Sequence, residues 1–226
     1  MEIETIKNFE NGYLKAECNK MVLNHQQYLE NSDILDIGSN IGLFSLAVCK
    51  NIKYRSIHLF EPCNQYLSYS KNLLEKYKNL QFNNVGLGNK SDNLNLYKDS
   101  SNLGWNTFLK IDPNQPPDFY IKMEEEECHL EKLDNYYRHI RNIDFIKMDV
   151  EGYEGYALEG SLELIEKFKP YILVEVGWGI NHPHWKYNES IYNKIFDIGY
   201  ERVEFSEKTQ DILFKPIFRG NSVNSF

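Results

Sequence analysis

The most informative segment of the sequence is Asp36-Ile37-Gly38-Ser39-Asn40-Ile41-Gly42, at residues 36–42. It follows an apolar run at 33–37 and precedes an apolar helical pattern at 43–50, which is typical of a tight turn between a buried strand and a helix. Gly38 permits the turn and the close approach of a ligand, and Gly42 lets the helix pack against the sheet. We expect the start of this helix to offer free backbone N–H groups to a carboxylate or phosphate.

A second signal lies 25 positions after Asp36, where the predicted strand at 56–60 ends in Glu61-Pro62. An acid at such a strand end commonly accepts hydrogen bonds from both ribose hydroxyls of a nucleoside. The glycine spacing is GxxxG, and Asn40 stands where a dinucleotide fingerprint has its middle glycine, so a pyrophosphate has less room. S-adenosylmethionine fits better than NAD, because Asp36 can pair with the ammonium group of its amino-acid end.

Apolar runs alternate with amphipathic segments along the chain, which predicts a Rossmann-like α/β fold. We expect a mostly parallel seven-stranded sheet, helices on both faces and a C-terminal antiparallel hairpin. The predicted strands lie at 33–37, 56–60, 80–85, 143–149, 171–176, 202–205 and 211–214, with a short further strand near 97. The predicted helices lie at 43–50, from Pro62 to about 77, at 130–140, from 153 to 168 and at 190–198.

The 226 residues are expected to form a single domain, because this length suits one hydrophobic core. Residues 1–32 are interpreted as an N-terminal helical cap. Residues 98–128 contain three prolines and the acidic run 124–127, and we expect an irregular insertion there, either a solvated loop or a lid over the acceptor.

The composition of the chain indicates which kinds of partner and which cellular compartment are expected. The net charge of −8 and the lack of a Lys/Arg stripe disfavour nucleic acid. No apolar run reaches the ~20 residues of a membrane span, and the first residues do not resemble a signal peptide. The four cysteines show no zinc spacing and predict a reducing, cytoplasmic compartment.

Several motifs together resemble the FkbM-type methyltransferases. They are DIGSNIG at 36–42, Phe60-Glu61-Pro62, IDFIKMDVEGYE at 143–154 and KPYILVE at 169–175. The resemblance implies the class I methyltransferase fold, S-adenosylmethionine as the methyl donor, S-adenosylhomocysteine as the product, and O-methylation, often of a sugar hydroxyl. Position by position it implies a cofactor site formed by Asp36, Gly38, Ser39, Asn40, Gly42, Glu61, Pro62, Val85, Gly86 and Asp149.

The same resemblance implies that Asp149 and Glu151 face the transferred methyl group. Asp149 and Glu175 end strands that we expect to be neighbours, so either carboxylate could act as the base, or both could hold Mg²⁺ that acidifies the acceptor hydroxyl. His182 lies on the loop after the fifth strand of the α/β pattern and has a suitable pKa to accept a hydroxyl proton.

These residues predict an S-adenosylmethionine-dependent O-methyltransferase with a sugar or glycan acceptor. The alternatives are a different hydroxyl, on a small molecule, a lipid or an RNA ribose, and a nucleoside-binding module without catalysis. The strand-end acids Asp149, Glu151 and Glu175 argue against the binding module. The sequence leaves the oligomeric state open.

Overall fold

The computed structural model describes residues 12–99, 102–110, 123–136, 141–176, 185–206 and 211–217. The helices are α1 Tyr13–Asn24, α2 Gln26–Leu29, α3 Leu43–Asn51, α4 Asn64–Leu73, α5 Leu133–Tyr136, α6 Glu154–Glu159, α7 Leu162–Phe168 and α8 Trp185–Asp197. The strands are β1 Asp33–Ile37, β2 Ser56–Phe60, β3 Leu80–Asn83, β4 Gly86–Leu87, β5 Asp92–Asp99, β6 Asn102–Thr107, β7 Met123–Glu131, β8 Phe145–Met148, β9 Tyr171–Glu175, β10 Tyr200–Ser206 and β11 Asp211–Pro216.

Seven strands form the main sheet in the order β10-β11-β9-β8-β1-β2-β3. The five strands from β9 to β3 are parallel, and β11 runs antiparallel to both β9 and β10. The predicted fold class, including the closing hairpin, is therefore confirmed. The strand order reverses between β1 and β8, and in open α/β sheets ligands bind beside such a switch point, at the carboxyl ends of the strands.

The strands of this sheet are buried on both faces. In β1, Leu35 and Ile37 belong to one hydrophobic cluster and Ile34 to another, and Ile172 and Leu173 of β9 divide in the same way. Successive side chains of a strand point to opposite faces, so the two clusters lie on the two sides of the sheet. This explains why the strands read as nearly continuous apolar runs.

A second sheet, in the order β4-β7-β5-β6, occupies much of the region expected to be irregular. The acidic run 124–127 lies within β7, which pairs antiparallel with β5 from Asp92↔Leu130 to Asp99↔Met123. Its burial pattern combines exposed acids with a buried Cys128 and a buried Leu130. The region thus differs from the expected loop, because it forms a paired strand in which Cys128 and Leu130, just after the acidic run, are buried. Residues 111–122 lie outside the described residues.

Several element boundaries also differ from the sequence-based expectation. The helix expected at 130–140 begins only at Leu133, because Leu130 still belongs to β7, and residues 137–140 lie outside the described part. The helix expected from 153 to 168 is divided into α6 and α7 at Gly160 and Ser161. The expected N-terminal cap contains α1 and α2, and its first eleven residues lie outside the described part.

Two further features of the fold concern membrane-spanning helices and the cysteines. Within the described ranges, no helix has both the length and the apolar character needed to cross a bilayer. All four cysteines carry free thiols; Cys63 and Cys128 are buried, and Cys18 and Cys49 are partly buried.

Candidate active site

A cavity of about 700 Å³ lies at the carboxyl ends of β1, β2, β8 and β9. This is the edge where the switch point predicts a ligand. The strand ends and the turns after them supply polar residues, while α1, β5 and the β6 region contribute mostly apolar walls. The residues that line the cavity include Cys18, Gly38, Ser39, Asn40, Glu61, Pro62, Val85, Gly86, Leu96, Gly104, Trp105, Asn106, Phe108, Lys147, Asp149, Glu151 and Glu175.

The glycine turn takes the conformation that its sequence predicts. Gly38, Asn40 and Gly42 all have positive φ, at 73°, 50° and 83°. A Cβ at Gly38 would lie 1.8 Å from the carbonyl oxygen of Asp149, so only glycine lets β1 and β8 end this close together. At Gly42 a Cβ would lie 3.1 Å from Ser70 of α4, which explains the close packing of α3 against its neighbour.

Glu61 is held at the end of β2 by the backbone around it. One carboxylate oxygen accepts the Asn40 N–H at 2.9 Å, and the other accepts the Cys63 N–H at 2.9 Å. Burial raises the pKa of Glu61 to about 7, against the opposing effect of these two hydrogen bonds. The carboxyl group is buried yet lines the cavity, and it therefore titrates near neutral pH at a fixed position.

Asp36 lies one layer below the cavity. Its side chain is fully buried, accepts the Ser45 hydroxyl at 2.6 Å, and lies 3.9 Å from the Lys147 ammonium. Burial raises its pKa, while Lys147 acts in the opposite direction. Asp36 is absent from the cavity wall, which differs from the expected direct pairing with a ligand ammonium group. The carboxylate instead faces the internal cation.

Lys147 is a buried cation inside the site that the sequence motifs do not assign. Its Nζ donates to Asp149 Oδ2 at 3.0 Å and to the carbonyl oxygen of Gly38 at 3.5 Å. Burial by itself lowers the pKa of Lys147, but Asp149 and Asp36 outweigh that effect and raise it above its usual value. The side chain therefore stays charged and connects the end of β1 to the end of β8.

Asp149 and Glu175 form a carboxyl pair on neighbouring strands. The β8–β9 register joins Met148 to Val174, so the next residues on each strand come side by side. The charge of Asp149, then burial and a hydrogen bond with Asp149, raise the pKa of Glu175 far above its usual range. At neutral pH Glu175 therefore holds a proton beside Asp149, whose Oδ2 accepts a hydrogen bond from Lys147.

The loop after Asp149 is fixed by a buried glutamate. Glu151 and Gly152 have positive φ, at 52° and 91°, and Glu151 lines the cavity. Glu154 Oε1 accepts the N–H groups of Val150 and Gly152 at 3.2 and 3.0 Å. Asn188 of α8 accepts the Gly155 N–H at 3.0 Å and lies 3.5 Å from Glu154. Glu154, the last acid of the DVEGYE motif, therefore fixes the conformation of this loop.

A model of the methyltransferase FkbM domain matches residues 36–202, which is well over half of the chain. The chain belongs to the FkbM methyltransferase family. A search of curated protein sequences finds no match.

Solved structures with the same fold include a member of this family. The FkbM domain described here is similar to methyltransferase FkbM from Methylobacillus flagellatus KT, with 15% identity, a TM-score of 0.55 and coverage of 94% of this chain and 58% of that one. It is also similar to a SAM dependent methyltransferase from Aquifex aeolicus, with 14% identity, a TM-score of 0.50 and coverage of 96% and 100%. A third similar structure is Aeropyrum pernix fibrillarin with natively bound S-adenosyl-L-methionine, with 11% identity, a TM-score of 0.50 and coverage of 89% and 73%.

At these identities the likeness shows the fold, which is that of class I methyltransferases. The chain spans only 58% of the length of the Methylobacillus flagellatus protein.

The structure of this FkbM domain does not fit a magnesium ion at Asp149 and Glu175. The Lys147 ammonium lies 3.0 Å from Asp149 Oδ2, so a divalent cation at this carboxylate would meet a positive charge. Among the residues that the structure describes, no three His, Cys, Asp or Glu side chains form a group suited to a metal. We therefore assign no step of the reaction to a metal ion. His182 lies outside the described residues.

Sequence reasoning missed Lys147 and the wall formed by the second sheet. A lysine two residues before Asp149 lies on the same face of the strand, and this period of two is the signal that could have identified it. Trp105, Asn106 and Phe108 reach the cavity from β6 and the residues after it, and a Cβ at Gly86 would lie 2.8 Å from the Phe108 ring. No local sequence pattern predicts the contact between Gly86 and Phe108, because it depends on how the two sheets pack.

Proposed function

We propose that this FkbM domain transfers a methyl group from S-adenosylmethionine to a hydroxyl group of a sugar or glycan. The main support is that one cavity contains both Glu61 on β2 and the Asp149–Glu175 pair on β8 and β9. Strands β2 and β9 are separated by β1 and β8, three strand spacings or about 14 Å. This width accommodates a nucleoside at the β2 side and an acceptor at the β9 side.

The cofactor is proposed to lie across the carboxyl ends of β1 and β2. Glu61 accepts the ribose hydroxyls, Val85 and Gly86 border the adenine, and the turn from Gly38 to Gly42 carries the methionine end, with Ser39 and Asn40 on its wall and Pro62 beside the ribose. Bound S-adenosyl-L-methionine in the similar Aeropyrum pernix structure is consistent with this cofactor. Asp36 supports the site indirectly through Lys147.

The chemical step is an in-line displacement at a methyl group that the sulfonium already activates, so alignment contributes most of the rate enhancement. An alcohol must lose its proton as the new bond forms, and a positioned base contributes roughly 10²–10⁴-fold. We assign this role to Asp149, because Glu175 already holds a proton and cannot accept another. Glu175 then donates a hydrogen bond to Asp149 and keeps it oriented, and Glu151 faces the acceptor from the adjoining loop.

A carbohydrate acceptor fits the polar and aromatic character of the cavity. Asp149 and Glu151 can accept hydrogen bonds from neighbouring hydroxyls, and Trp105 offers a rigid aromatic face. The excess of acidic over basic residues in the cavity lining and the net charge of −8 disfavour a polyanionic acceptor such as RNA. The free thiols also support our proposal of a reducing, cytoplasmic location.

Methyl transfer from labelled S-adenosylmethionine to a panel of sugar nucleotides and short glycans tests the proposal. We expect label in an ether that resists mild alkali, which distinguishes an O-methyl sugar from a methyl ester. The control is Asp149→Asn, in which turnover should fall by about 10²–10⁴-fold while the affinity for S-adenosylhomocysteine changes little. Transfer to amines alone, or an Asp149→Asn variant with full activity, would contradict the proposal.

A further inference from the structure

The backbone of the glycine turn has no N–H group left for a ligand between residues 38 and 42. Gly38 and Ser39 both donate to the carbonyl oxygen of Phe60, at 3.1 and 3.0 Å. Asn40 donates to Glu61, Ile41 to the side chain of Asn40, and Gly42 to the carbonyl oxygen of Ser39. Residues 38–42 therefore offer no free N–H group to a carboxylate, but polar side chains beside them can donate.

Two side chains at this end of the cavity can donate to an anion. Lys147 is the only basic residue among the described residues of the lining, and the other charged residues there are Glu61, Asp149, Glu151 and Glu175. Ser39 is 4% exposed and lines the cavity, and its hydroxyl has no hydrogen-bond partner in the described part of the chain. A buried hydroxyl without a partner is costly, so the cavity at this point suits a hydrogen-bonding ligand.

Both donors line the cavity at the end of β1 and β8. The Lys147 ammonium is 3.5 Å from the carbonyl oxygen of Gly38, which belongs to the peptide that joins Gly38 to Ser39. Asp149 and Asp36 hold the ammonium in place, and it keeps its charge although it is buried. The result is a fixed cation beside a hydroxyl, at the edge of the turn.

We propose that Lys147 Nζ and Ser39 Oγ bind the α-carboxylate of the methionine end of the methyl donor. The inference rests on the proposed function, in which S-adenosylmethionine is that donor. The same end carries an ammonium group, for which the Gly38 carbonyl is an acceptor. A charged donor and a charged acceptor form a stronger hydrogen bond than neutral groups, more so in a partly dry site. Lys147 thereby determines which adenosyl ligands are recognised.

The consequence is selectivity for ligands that carry the carboxylate. Decarboxylated S-adenosylmethionine retains the adenine, ribose, sulfonium and ammonium groups and lacks only this anion. The affinity of the unmodified protein for S-adenosylmethionine should exceed that for the decarboxylated form by about 10- to 100-fold, as expected for hydrogen bonds to a charged group.

Isothermal titration calorimetry with both compounds tests the proposal on the unmodified protein and on Ser39→Ala, Lys147→Gln and Lys147→Arg. Ser39→Ala removes a hydroxyl with no internal partner, so its melting temperature should stay unchanged while the preference for the carboxylate falls several-fold. Lys147→Gln should abolish the preference, and Lys147→Arg should restore part of it. Far-ultraviolet circular dichroism checks that each variant is folded.

The outcomes separate this inference from the proposed function. If the unmodified protein binds both compounds equally, or if Ser39→Ala keeps the full preference, the carboxylate is bound elsewhere and the inference fails. If the unmodified protein binds neither compound nor S-adenosylhomocysteine, the proposed function itself fails. Because Ser39→Ala is expected to fold normally, a misfolded Lys147→Gln variant would still leave the inference decided by Ser39→Ala.

Discussion

Binding of S-adenosylhomocysteine should depend on pH through Glu61. Burial raises the pKa of this carboxyl to about 7, and two backbone N–H groups fix it against the cavity. Ribose hydroxyls donate to a carboxylate, so the ligand selects the ionised form, and affinity must fall as the pH falls below about 7. With this pKa the ionised fraction drops from about nine-tenths at pH 8 to about one-tenth at pH 6, and the Kd should rise about tenfold over that range.

Calorimetry at pH 6, 7 and 8 measures this directly. In two buffers of different ionisation enthalpy at pH 7, binding should release about half a proton, because about half of Glu61 is protonated before the ligand binds. The matched variant is Glu61→Gln, which should bind more weakly and with no pH dependence over this range. Glu154 also has a pKa raised to about 7 but does not line the cavity, and it remains in the variant as an internal control. A Kd that stays constant from pH 6 to pH 8 in the unmodified protein would show that the ligand does not select the ionised form of Glu61.

Three further outcomes follow from the geometry. The folded-state pKa of Glu175 lies above its unfolded value, so stability should fall as pH rises from 5 to 9, by up to about 1.4 kcal/mol per pH unit, and Glu175→Gln should flatten this slope in urea unfolding. Gly38→Ala should lower the melting temperature and abolish S-adenosylhomocysteine binding, because its Cβ would meet the Asp149 carbonyl. Gly199→Ala is the matched control, since it has a similar positive φ but a nearest heavy atom 3.9 Å away, and it should retain binding. Asn188→Ala should reduce kcat about tenfold or more with little change in the Kd for S-adenosylhomocysteine, and equal losses in both would contradict a positioning role.

The parts of the fold that could be predicted are those encoded locally. The turn at 36–42 and the acid at 61 lie at strand ends, and each is recognisable from glycine spacing and the apolar run before it. The main sheet could be predicted because each buried parallel strand is a short apolar segment of the sequence bounded by a turn. The carboxyl ends of parallel strands meet at one edge, so Asp149 and Glu175 could be expected side by side, as they are.

The parts that escaped prediction depend on contacts between distant segments. Asp36 was expected to face the ligand, but β1 is central in the sheet and its end is covered by Ser45 and Lys147. The second sheet was missed because β7 carries four consecutive acids, and such a run suggests a loop when its partner strand is unknown. The protonation of Glu175 also requires the structure, since it arises from a charge on the neighbouring strand.

A crystal structure of the protein with S-adenosylhomocysteine bound is the most direct test of the central claim. We expect the ligand to fill the strand-end cavity, with both ribose hydroxyls on the Glu61 carboxylate and the sulfur facing the Asp149–Glu175 pair. A ligand found outside this cavity, or a ribose turned away from Glu61, would contradict it.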